Sequence, residues 1–85
     1  MGYNRQVTID QMREGDSGMV LRIDGGHGLI NRLGTLGIVP GRRITKVSSM
    51  LMRGPVTIEV DRAQVAVGKG MAGKIVVELD EAPVA

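Results

Sequence analysis

At 85 residues the chain has room for one domain and a small core. It holds no cysteine, which excludes a disulfide framework, a thiolate zinc site and a cysteine nucleophile. With 42% apolar and 24% charged residues, a net charge of +2 and a single aromatic, Tyr3, the chain is an ordinary globular domain whose core is aliphatic. No apolar run reaches the roughly 18 residues of a membrane span. The N-terminal "MGYNRQVTID" lacks a signal-peptide stretch, and Gln6 stands where a myristoylation motif needs Ser or Thr. A cytoplasmic domain without membrane insertion is the expectation.

In chain order, "VTIDQM" (7–12) reads as an opening strand and "REGDSG" (13–18) as a turn-rich link into a second strand, "MVLRID" (19–24). The next segment, "DGGHG" (24–28), leads into a helix over about 28–36, where Leu29, Ile30, Leu33 and Leu36 form one apolar stripe. "RLGTLGIVPG" (32–41) then spells an ending. Gly37 suits the left-handed position after a helix, Ile38 and Leu33 make the hydrophobic pair of a Schellman motif, and Pro40-Gly41 fits the centre of a type II turn. Gly34, inside the helix, is expected to permit close packing on a strand.

"RRITKVSSML" (42–51) puts Ile44 and Val47 on opposite faces, so a bulge or a change of face is expected within that strand. A hairpin through "MRG", closed by Gly54 and Pro55, leads to "PVTIEVD" (55–61), with Val56, Ile58 and Val60 alternating inward. "QVAVGKGMAG" (64–73) reads as a short strand and a single helical turn. In "KIVVELD" (74–80), Ile75, Val77 and Leu79 point inward. About five short strands and one helix favour a small closed barrel, mainly β, with one domain over 1–81 and a loose tail at 82–85.

Several segments invite a chemical reading. "GDSG" (15–18) matches the core of a serine-protease nucleophile motif, but the chain is too short for that scaffold and its only histidine, His27, follows the serine. A polar turn is the better reading. "DGGHG" lacks the third glycine of a dinucleotide fingerprint, and Gly34, Gly37 and Gly41 fit no phosphate-binding pattern. His27 with Asp24 falls short of the three protein ligands of a catalytic zinc, and no cofactor is expected.

The basic band is more informative. Every acid lies at or before Asp24, or at or after Glu59, leaving Arg32, Arg42, Arg43, Lys46 and Arg53 without local opposition. The band is either a site for an acidic partner or a face balanced by acids brought in by the fold. Met50, Leu51 and Met52, beside Arg53 at the hairpin tip, are adaptable contacts at a binding surface or a cap over the core. The partner-binding candidates are therefore Arg42, Arg43, Lys46, Met50, Leu51, Met52 and Arg53.

The element Leu33-x-x-Leu36-Gly37-x-x-Pro40-Gly41, followed by a basic strand, resembles the signature of the FeoA family, small accessory proteins of bacterial ferrous-iron uptake. The likeness runs from "MREGDSGMVLRI" through "VSSMLMRGPVTIEV" to "VAVGKGMAGKIVVEL". The same domain resembles the C-terminal part of iron-dependent repressors; with no DNA-binding segment ahead of it here, the stand-alone form is expected. The resemblance implies an SH3-like β-barrel with an inserted helix and no enzymatic activity. It also implies one partner, the FeoB membrane G-protein transporter. Leu33, Leu36, Gly37, Pro40, Gly41, Gly54 and Pro55 match family positions and are structural on this reading.

Two alternatives stand beside it. The sequence pI of about 9.5 suits a small RNA-binding barrel of the KOW type. Against that, such barrels stack bases on aromatic side chains, of which this chain has only Tyr3, so no nucleic acid is expected. A metal-responsive regulatory domain is the other. The oligomeric state is open.

Overall fold

The computed structural model of the protein describes residues 5–49 and 54–80. Its elements are β1 (Gln6–Thr8), a 3-10 turn (Ile9–Gln11), β2 (Ser17–Ile23), α1 (His27–Thr35), β3 (Arg43–Ser49), β4 (Val56–Val60), β5 (Ala63–Val67), α2 (Lys69–Ala72) and β6 (Ile75–Leu79). All strand pairs are antiparallel, in the order β1-β6-β2-β3-β4-β5. Six strands thus replace the expected five or so, and β1 and β5 remain edges of an open sheet among the described residues.

The opening strand is shorter than its pattern suggests. β1 stops at Thr8 because the next residues bond locally: the Thr8 N–H donates to Gln11 Oε1 at 3.1 Å, and the Thr8 hydroxyl bonds Asp10. Ile9 and Met12, three residues apart, both enter the core at 0% and 4% exposure. That spacing suits a three-residue turn and not the alternation of a strand.

The other strands follow their alternation. Val56, Ile58 and Val60 of β4 are buried, and so are Ile75 and Val77 of β6. Val76, on the opposite face of β6, is also buried, since this strand lies inside the sheet between Thr8 of β1 and Arg22 of β2; Leu79 is half-buried. The expected irregularity in β3 is a bulge at Val47: Lys46 pairs with Ile58, and Ser48 already with Thr57. Gly54 and Pro55 precede β4, while the hairpin tip 50–53 and the tail 81–85 lie outside the described residues.

The helix ending forms as its residues spell it. Gly37 takes φ 86°, its N–H donates to the Gly34 carbonyl, and the Ile38 N–H donates to the Leu33 carbonyl, each at 3.0 Å. This is the Schellman pair, and its hydrophobic partners Leu33 and Ile38 are fully buried. Gly41 follows at φ 90°, and the Arg42 N–H closes a type II turn onto the Val39 carbonyl at 3.0 Å. The Gly41 N–H then donates to the Val20 carbonyl at 2.8 Å, tying the turn to β2.

Two expectations about α1 need correction. A Cβ on Gly34 would meet only Val39 Cγ1, at 3.9 Å, so no strand packs closely there. The apolar stripe is also narrower than expected: Leu33 is buried and Leu29 packs partly against the core, but Ile30 and Leu36 are 37% and 39% exposed. Ile30 lies about 100° around the helix from Leu29, and Leu36 caps its end. Among the described residues no helix is long and apolar enough to cross a membrane.

Candidate functional site

The basic band divides into three environments. Arg42, at the end of the type II turn, pairs with Asp61, and Arg43, at the start of β3, pairs with Asp80. The acids are 19 and 37 residues away in sequence, so the fold supplies the opposition that the local sequence lacks. Both pairs are at the surface, where such contacts contribute little to stability and are screened by salt.

Lys46 is not a surface residue. It is 2% exposed, and its ammonium donates to the Met12 carbonyl at 2.6 Å and the Ile9 carbonyl at 3.1 Å, with the Asp10 carbonyl at 3.5 Å. Lys46 shares the inward face of β3 with Ile44, two residues earlier, and that position lies under the 3-10 turn. A buried ammonium needs acceptors, and these carbonyls provide them. Lys46 therefore locks the 3-10 turn to the sheet and drops out of the partner-binding candidates. Met50, Leu51, Met52 and Arg53 lie outside the described residues.

The other chemical readings resolve into structure. Ser17 Oγ lies 2.7 Å from Thr45 Oγ1, its opposite neighbour on β3. Asp16 Oδ2 accepts from the Arg13 N–H at 2.9 Å, holding the turn before β2. At Gly18 there is no room for a side chain between β2 and β6: an added Cβ would stand 2.4 Å from the Glu78 carbonyl oxygen. The "GDSG" segment is a turn running into a tightly packed strand. His27 is exposed at the start of α1, and the Asp24 carboxylate accepts from Arg22 Nε at 3.0 Å. Among the described residues no three of His, Cys, Asp and Glu gather into a metal-binding group.

What the fold does assemble is one mixed apolar and cationic end. A Cβ on Gly37 would lie 3.3 Å from Val60 Cγ1, so the end of α1 sits against the end of β4. Leu36, exposed Pro40, Arg42 and the Asp61–Arg62 turn consequently share this end. The exposed Leu36 was expected to be structural, and Arg62 was not singled out at all. Neither placement follows from local pattern, since it depends on α1 meeting β4. Met19, 42% exposed, lies on β2 opposite Arg43.

Comparison with known proteins agrees with this architecture. The model of the FeoA domain family matches residues 7–79. A Methanocaldococcus jannaschii relative, provisionally named Fe(2+) transport protein A, is 36% identical over 66 residues, 78% of each chain. A crystal structure titled iron uptake regulatory protein (FeoA) superposes with a TM-score of 0.81 at 37% identity, covering 88% of this chain and 97% of that one. A manganese-dependent transcriptional repressor shares the fold at TM-score 0.80 and 24% identity, with 91% of this chain matching 43% of the repressor. The sheet is thus SH3-like in arrangement, and the chain belongs to the FeoA domain family.

Proposed function

We propose that this protein is a non-enzymatic accessory component of ferrous-iron uptake that docks on the cytoplasmic side of a FeoB-type transporter. Family membership over nearly the whole chain is the observation that carries the reading. The relative's name, which refers to Fe(2+) transport, agrees with it. The docking surface is the end bearing Leu36, Pro40, Arg42 and Arg62, where exposed apolar residues and arginines occur together. Buried apolar anchors beside arginine are the residue types that dominate protein interfaces.

An RNA-binding role has less support. Arg42 and Arg43, its natural phosphate contacts, are both engaged by carboxylates. The test is co-purification of the protein with the FeoB-type transporter of the same organism under reducing, low-salt conditions. Retention of the protein on the immobilised transporter is expected. Failure to bind, together with a strongly salt-dependent gel shift on RNA, would replace this reading with the nucleic-acid one.

A further inference from the structure

The connection between β4 and β5 is two residues long, Asp61 and Arg62, with Val60 paired to Ala63 across its base. Both residues have positive φ, 50° and 69°. This is the form that a two-residue hairpin needs to match the twist of its strands, and its second position ordinarily carries glycine. Any other residue there works against its own Cβ, at a cost of about 1–2 kcal/mol.

Asp61 has structural reasons to be present. A short polar side chain tolerates this region, and its carboxylate holds Arg42. Arg62 has none: its side chain is exposed, long and without an ion pair or side-chain hydrogen bond among the described residues. The strain at Arg62 therefore serves nothing within the described fold. An unfavourable backbone kept at an exposed position with no internal role for its side chain is the mark of a residue held for an external contact.

We propose that Arg62 is the anchoring arginine of the docking surface, presenting its guanidinium to a carboxylate on the partner protein. This rests on the docking reading above. Asp61, the neighbour of Arg62 in the turn, is already engaged by Arg42. The Arg62 guanidinium has no ion pair among the described residues and is open to an anion from outside. A planar guanidinium binds a carboxylate through two parallel hydrogen bonds, and a two-residue turn holds the backbone beneath it rigid. Leu36 and Pro40, exposed on either side of the Gly37 that meets Val60, supply apolar surface at the same end of the molecule, of the kind that excludes water around such a contact. One surplus charge with apolar neighbours suits a protein carboxylate and not a polyanion, whose binding needs many cations.

The experiment compares wild type, Arg62→Gly and Arg62→Lys for thermal melting and for affinity to the same organism's FeoB-type transporter in nanodiscs. Arg62→Gly relieves the strained backbone and is expected to melt about 4 °C higher. The same variant should bind about thirtyfold more weakly, the loss typical of a truncated anchor. Arg62→Lys, which keeps the charge and the strain but not the planar fork, should melt with the wild type and bind about tenfold more weakly. Wild-type affinity in Arg62→Gly, with the wild type itself binding, overturns the anchor and leaves the docking reading standing. A variant that melts no higher than wild type removes the premise of strain and overturns the proposal. Absence of wild-type binding overturns both.

Discussion

Two regions of the molecule hold cations and use them in opposite ways. Under the 3-10 turn, Lys46 is sealed in, with all of its chemistry directed at carbonyls of its own chain. At the end formed by Leu36, Pro40 and the Asp61–Arg62 turn, Arg42 is held loosely at the surface and Arg62 has no partner among the described residues. The difference is one of solvation. A buried ammonium must be fully matched and so contributes to folding, whereas an exposed guanidinium keeps its water and remains available to another molecule.

The sharpest way to break this contrast is Lys46→Met, which keeps the bulk but removes the donor. It leaves the Met12 and Asp10 carbonyls without the ammonium, while the Ile9 carbonyl keeps the Met12 N–H at 3.1 Å. We expect a loss of about 3 kcal/mol in urea unfolding. A loss under about 1 kcal/mol would place Lys46 among the dispensable cations.

Gly37→Ala tests whether the open end depends on its helix ending. Its φ of 86° and the 3.3 Å approach to Val60 act together, and about 2 kcal/mol of destabilisation is expected. Gly41→Ala isolates the first of these contributions, since at φ 90° its added Cβ meets nothing within 4 Å. It should cost about 1 kcal/mol by the same measurement, and a cost equal to that of Gly37→Ala would deny the crowding at Val60.

Gly34→Ala should act in the other direction and raise stability by about 0.5–1 kcal/mol, because a helical position with only a 3.9 Å contact accepts a methyl group. Arg42→Ala should change stability least, by no more than about 0.5 kcal/mol, because its pair with Asp61 is solvated. It should nevertheless weaken retention on the transporter. An Arg42→Ala variant that lost more than about 2 kcal/mol of stability yet kept full retention would reverse the assignment of the two regions.

Much of the fold was legible because its demands are local. The Schellman ending at Leu33–Ile38 and the turn through Pro40-Gly41 follow from which residues tolerate which φ, and such tolerance travels with the residue. The bulge at Val47 was legible as well, since Ile44 and Val47 cannot share a face of a regular strand. The 3-10 turn at Ile9–Gln11 was misread because Val7 and Ile9 alternate as in a strand, and only the side-chain hydrogen bonds of Asp10 and Gln11 end that strand at Thr8. The candidate site was less legible. Leu36 looks like core in any helical projection and becomes surface only because α1 ends where the sheet does.

By itself the sequence determined the order of elements, an aliphatic core, two glycine-dependent reversals and a motif that names the family. Tertiary structure decided which cations count. Arg43 meets Asp80 across 37 residues, Lys46 meets the carbonyls of a turn at least 34 residues away, and Arg62 meets no carboxylate among the described residues. The reason is physical: backbone preferences act between neighbours in sequence, whereas the energy of a charge depends on the solvent and charges around it, and folding alone sets those surroundings.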